Sequence, residues 1–488
     1  MDEAGGRVLP WWDGSPCWKW ETCRTVIVAA QSWFWGNRMV RSVAKAGAFV
    51  TLAALSLTAC GGSSGPGDPK ESRTQTSAAV PSQSAVPSRS AAPAKPIPAA
   101  FDSTRGWEVE AGKDGNLRGP AVASDAGLIL FRSISEDEKT VSVLAYDAKT
   151  GAIRWRSKPV ANPTRDSLDA DAMVFVTHKA GKEYAVLAVT GSEGGDGVNR
   201  ASGVTRLAAY DTASSGEAAP VKETTVPDQA TGYGVQRDGG LTAVQLGRST
   251  AVVDVLSGQV TTYDRNNAAL NAPKPCELDF GSCNTSTGVT ALTPAGPLVQ
   301  GRGAFWALGG WFSGDVVPAG ASAIVGSSTV TAYGSPDGHV VAAWPPTGHD
   351  NDRSVWAVHD GGTGQVLATV ECTGKKATPR LSSDGRYLIA GFAVFDLQAK
   401  KGYCFEATGA RNPVQLTAVD KDGTAYGNAN TPDQNTGGLS DTPTSVVLAT
   451  GQASALPAGT LVPDLIGADA AVFGTDTGIG PVLVYPRR

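Results

Sequence analysis

The chain has 488 residues, is 41% hydrophobic and 18% charged, and carries a formal net charge of -5. That length allows several domains or one large all-β domain. The acidic balance lacks the basic footprint of a phosphate-backbone binder, so nucleic acid is excluded as an expected partner. Its 59 Gly and 30 Pro suit a protein of many short strands joined by turns.

Residues 1–38 include "LPWWDGSPCWKW" and "QSWFWGNR", which place six Trp ahead of Met39. A secretory signal begins at a positive n-region, so the expected start is Met39, with 1–38 a non-native extension. Residues 39–59 then read as the signal peptide. Arg41 and Lys45 supply positive charge, and Ala46 to Leu57 form an apolar stretch of about a dozen residues, too short to span a bilayer as a mature helix. "LTAC" followed by "GG" resembles a bacterial lipobox. That resemblance implies cleavage before Cys60 and a diacylglyceryl thioether on its thiol. Two or three acyl chains, each stabilised by about 0.8 kcal/mol per buried methylene, make a durable anchor.

The stretch 60–104 reads as a lipidated Cys followed by a disordered tether rich in Ser, Pro and Ala. Among residues 61–100 only Val80, Val86 and Ile97 are apolar and larger than Ala or Pro. Such a chain buries too little surface to offset its ordering entropy. At about 3.1 Å per residue it extends up to roughly 100 Å, far enough to hold a domain off a membrane.

From residue 105 to 488 the sequence changes to short apolar runs and Gly-rich turns. "LAYDAKTGAIRW" (144–155) recurs in weakened form as "AVVDVLSGQVTTY", "AVHDGGTGQVLAT" and "AVFDLQAKKGYCF". Asp147, Asp254 and Asp360 each precede a Gly by four residues: Gly151, Gly258 and Gly364. Asp396 with Gly402 is read as a longer variant of the same corner. A tight reversal between antiparallel strands closes best in a Gly with positive φ, and the Asp carboxylate accepts the loop N–H groups left over. These pairs are therefore expected to be structural.

Three- or four-stranded units at intervals of 40–55 residues mark a β-propeller. The units centre near residues 140, 195, 250, 300, 345, 390, 435 and 475. Seven to eight four-stranded blades are expected, with eight favoured. "GWEVE" (106–110) is a lone strand and the last unit supplies only three, so the N-terminal strand is expected to complete the last blade and remove the sheet edge.

"DAKTGAIRW" resembles the PQQ-like repeat, whose Trp, here Trp155, docks between blades. The later repeats carry Thr262, Ala368 and Glu406 at that position. Quinoprotein dehydrogenases of this type bind pyrroloquinoline quinone beneath a vicinal disulfide, but this chain has no adjacent Cys pair. No cofactor is therefore expected. "SSDGRYLIAG" resembles a WD40-like hairpin.

An even number of Cys in an exported domain implies disulfides. Cys276–Cys283 and Cys372–Cys404 are the favoured pairs among three possible connectivities. "GHDNDR" puts His349 beside Asp350 and Asp352, which reads as a solvated turn in preference to a cation site, so no metal is expected. "GSEGGDGVNRASG" (191–203) lacks the helix N-terminus of a phosphate loop, and no G-x-S-x-G elbow marks a nucleophile.

Together these features point to a monomeric lipoprotein, membrane-anchored on the extracytoplasmic face and resembling scaffold propellers such as the BamB-like ones. The expected role is non-catalytic binding of a protein, peptide or envelope glycan. A quinoprotein dehydrogenase or other propeller enzyme is the alternative from a second class, and a small-molecule sensor that from a third.

Overall fold

A computed structural model describes residues 89–488 apart from 94, 110–116, 164–171, 197, 275–276, 279–280, 283–285, 323, 326–327, 349–352, 375, 377, 433–438 and 475–480. Cys60, Cys276, Cys283, His349, Asp350 and Asp352, with the signal peptide and most of the tether, lie outside the described residues.

Eight antiparallel sheets follow one another along the chain and close into a ring, an eight-bladed propeller. From inner to outer strand, blade 1 runs from Leu117–Ala123 to Ile153–Ser157 and blade 2 from Met173–Lys179 to Lys222–Pro227. Blade 3 runs from Gly232–Val235 to Val260–Asp264 and blade 4 from Ser286–Thr293 to Phe305–Ala307. Blade 5 runs from Thr331–Gly334 to Val366–Thr373 and blade 6 from Arg380–Leu381 to Lys401–Cys404. Blade 7 runs from Val414–Val419 to Gln452–Ala455, and blade 8 begins at Leu465–Ile466. Blade 4 has three strands among the described residues. A bridge from Trp306 to Phe312 stands where its fourth would be.

The ring closes as the lone strand implied. Trp107–Val109 lies antiparallel to Val482–Pro486, with Trp107 opposite Val484. The described residues from 89 onward include a strand and packed side chains ahead of residue 105. Arg89–Ala91 adds a fifth strand outside Trp107–Val109. Phe101 is fully buried against Phe473 and Tyr426, with Ile97 and Ala100 packed around it. These few apolar residues fix the segment 97–101 against blade 8.

Both faces of each blade are buried, which explains why runs such as "LILF" are continuously apolar and do not alternate. Leu128 and Leu130 pack toward blade 2, while Ile129 and Phe131 pack toward blade 8. Eight apolar clusters result, one in each gap between neighbouring blades.

Three corners share one geometry. Gly151 (φ 66°), Gly258 (φ 78°) and Gly364 (φ 76°) are left-handed. Their N–H groups donate to the carbonyls of Asp147, Asp254 and Asp360 at 2.8, 2.8 and 2.7 Å. The Asp147 carboxylate accepts Thr150 N–H at 2.9 Å, and that of Asp360 accepts Thr363 N–H at 2.8 Å. The Asp396 corner differs from its expected form. It has the same length as the others, with Lys400 (φ 53°) as the left-handed residue. Gly402 sits beyond the turn, where a Cβ would come within 2.6 Å of the Thr369 carbonyl of blade 5. Gly402 therefore permits close packing of two blades and does not close the turn.

Trp155 docks across a gap, its indole N–H donating to Thr212 O at 3.0 Å and its ring stacking on Tyr210. Two tryptophans not singled out in the repeat do the same. Trp107 donates to Ala148 O at 3.1 Å and Trp311 to Gly361 O at 2.9 Å. Each acceptor is the residue following a corner Asp: Asp147, Asp211 or Asp360. A Cβ on Gly151 or Gly364 would meet the indole of Trp107 or Trp311 at 2.6 or 2.5 Å. At the corner of blade 3, Lys222 covers Gly258 in place of a Trp. The disulfide Cys372–Cys404 joins the outer strands of blades 5 and 6, with Cα atoms 5.6 Å apart.

Candidate functional site

The inner strands surround a central channel with a cavity of about 420 Å³, a volume in the range of small-ligand pockets. Its wall is largely apolar, formed by Val122, Val174, Val235, Leu381, Val419 and Ile466 from six blades. Each inner strand runs from one mouth to a hairpin turn at the other. Arg380 lies two residues before the hairpin turn of blade 6, and His178, Glu183 and Arg237 stand at the hairpin turns of blades 2 and 3.

The two arginines lack carboxylate partners among the described residues. Arg380 Nη1 donates to the carbonyls of Thr417 (3.0 Å) and Asp464 (2.7 Å), so blades 7 and 8 hold it by backbone oxygens that leave its charge uncancelled. The Arg237 guanidinium makes no hydrogen bond or ion pair among the described residues, and its side chain lines the cavity. Its main chain is fixed on both sides: the N–H donates to Pro336 O, and the C=O accepts from His178 N. Thr177 Oγ1 donates to Gln236 O at 2.8 Å, and Gly239 N donates to His178 O at 2.8 Å. The turn of blade 3 thus reaches blade 2 on one side and blade 5 on the other.

At this mouth His178 Nε2 lies 3.1 Å from Asp125 Oδ2 and 3.5 Å from Glu183 Oε1. The Glu183 side chain is only 3% exposed. It accepts the N–H groups of Asp125 (3.3 Å) and Ala126 (3.1 Å), which ties blade 2 to the first hairpin turn of blade 1. Hydrogen bonding to Glu183 raises the pKa of His178 above its ordinary value, while burial and the Arg237 charge oppose the rise. One imidazole and two carboxylates form a set able to hold a cation.

The residues predicted from the sequence lie elsewhere. Asp147, Gly151, Asp254, Gly258, Asp360 and Gly364 sit at blade corners, Trp155 in a gap, and the disulfide between outer strands; none lines the channel. Arg380 sits in "ATPRLSS" and Arg237 in "VQRDGG", short strand-to-turn stretches that carry no motif. The one available signal was positional, since the first strand of each unit must line the axis.

No family model matches the chain, and no curated protein matches it. Among solved structures it is similar to Kuenenia stuttgartiensis hydrazine synthase, at 14% identity over 74% of this chain and 70% of that one, with a TM-score of 0.26. It is similar to Porphyromonas gingivalis dipeptidyl peptidase 4 at 11% identity over 75% and 55% of the two chains, with a TM-score of 0.37. The Dos1 propeller is similar at 9% identity over 74% and 76%, with a TM-score of 0.29. At these values the likenesses carry no functional argument; the fold rests on the sheets themselves.

Proposed function

We propose that the chain is a lipid-anchored, extracytoplasmic binding module that takes a partner segment or ligand bearing a negative charge into its central channel. Cys60 is the anchor and the Ser/Pro-rich stretch the spacer. The ring provides the rigid rim on which a protein, peptide or envelope glycan docks. The tryptophans docked on the corners of blades 1, 2 and 5 support the kinship with PQQ-like repeats, in their scaffold form.

One observation carries this reading: an apolar cavity marked by two arginines without carboxylate partners. Both guanidinium groups are partly exposed at the cavity wall, and carboxylate and phosphate fit the planar donor fork each presents there. The apolar wall supplies area and the arginines supply orientation.

A photoreactive residue at Leu381, within the channel, tests the proposal in intact cells expressing the full chain. Cross-linked adducts from Leu381 and none from Val366, on the outer strand of blade 5, are expected. Adducts from Val366 alone, or from neither position, would refute channel binding.

A further inference from the structure

We propose that Asp125 Oδ2, His178 Nε2 and Glu183 Oε1 form a site for one divalent first-row transition ion, of the zinc class, at the hairpin mouth of the channel. His178 and Glu183 also line the channel cavity, and the ion site requires no ligand in the channel.

The spacing fits an ion. With ligand bonds of about 2.0–2.2 Å, neighbouring ligands stand about 2.9–3.6 Å apart in octahedral or tetrahedral shells. The separations from Nε2 to the two carboxylate oxygens are 3.1 and 3.5 Å. One imidazole nitrogen with two carboxylates is a mixed N/O set suited to Zn²⁺ or Mn²⁺, and it offers too few oxygens for Ca²⁺.

The ligands are held in place before any ion arrives. Two backbone N–H groups of the facing blade fix Glu183. His178 is fixed through its main chain, bonded to Arg237 and Gly239. Its buried Nδ1 makes no hydrogen bond among the described residues, yet Asp238 Oδ1 lies 4.0 Å away. A movement of about 1 Å would make Asp238 the outer acceptor that a metal-bound imidazole requires. Around His178 the charges are the carboxylates of Asp125, Glu183 and Asp238 against the single guanidinium of Arg237. A dication offsets that excess, where a proton on Nε2 offsets only part of it. Because Asp125 belongs to blade 1 and the other two ligands to blade 2, the ion would also cross-link the two blades.

The test is calorimetric titration of Zn²⁺ into chelator-treated full-length protein, for the wild type, Asp125→Asn and His178→Gln. Asp125 has a side chain 62% exposed, so its variant keeps the fold. The expected result is one ion per chain, weakened at least tenfold in both variants, with a Zn²⁺-dependent rise in thermal midpoint in the wild type only. Absence of saturable binding in the wild type overturns the proposal. So does binding unchanged in Asp125→Asn and His178→Gln, which would place the ion elsewhere.

Discussion

Trp107, on the first strand of the ring, pairs with Val484, on the last, and its indole N–H donates at 3.1 Å to the carbonyl of Ala148 on the next blade. One side chain thus joins the closing blade to the first. It is buried, stacks on Tyr146 with ring centroids 5.4 Å apart, and lies over Gly151. Trp107→Ala removes this contact and opens a cavity, at a cost of about 3–5 kcal/mol. Thermal unfolding followed by circular dichroism should show a clearly lower midpoint, comparable to that of Trp155→Ala. A midpoint equal to the wild type would mean that the strand does not close the ring.

The disulfide Cys372–Cys404 closes a separation of 32 residues, and Cys372 is fully buried. In the chain-entropy model such a closure contributes about 3–4 kcal/mol. Replacing both Cys with Ser should lower the unfolding midpoint. Mass spectrometry of alkylated native protein should find neither thiol labelled without a reductant.

His359 is buried among Phe305, Trp311 and Trp344. Its Nδ1–H donates to Gly364 O at 2.9 Å, and its Nε2 accepts from Trp344 Nε1 at 3.2 Å, so the neutral ring is fully satisfied. Burial lowers its pKa from 6.5 to about 4. The unfolded chain therefore takes up this proton first as pH falls. The resulting stability is fully present above pH 6.5 and declines toward pH 4, by about 3 kcal/mol. His359→Gln should flatten the dependence of the unfolding midpoint on pH in that window. An unchanged slope would assign the acid sensitivity to other groups.

Cys60→Ala should shift the protein from the membrane fraction to the soluble fraction or the medium, as measured by fractionation and immunoblot. Membrane association unaffected by the change would rule out the lipid anchor.

The architecture was legible because blades 1, 3, 5 and 6 repeat the same local requirement. A left-handed residue closes a corner, an Asp satisfies the loop N–H groups, and apolar strands are buried on both faces. Where chemistry substitutes for the usual residue, the pattern misleads. Lys400 adopts the left-handed conformation that Gly takes elsewhere, and Gly402 answers to its neighbour blade. Trp311 docks as Trp155 does but stands in a blade whose fourth strand is reduced to a bridge, so no repeat framed it. The channel residues were not legible. Arg237 belongs to blade 3, Arg380 to blade 6, and Asp125, His178 and Glu183 to the neighbouring blades 1 and 2, so only the packing of blades around the axis brings them to one cavity.

Titration of the folded full-length protein with anilinonaphthalene sulfonate, an apolar anion that fluoresces when sheltered from water, measures channel binding directly. One saturable site per chain is expected, with affinity reduced about tenfold or more by Arg237→Gln and again by Arg380→Gln, as for loss of a charge-assisted hydrogen bond. Equal affinity in the wild type and the double variant would contradict an anion-binding channel.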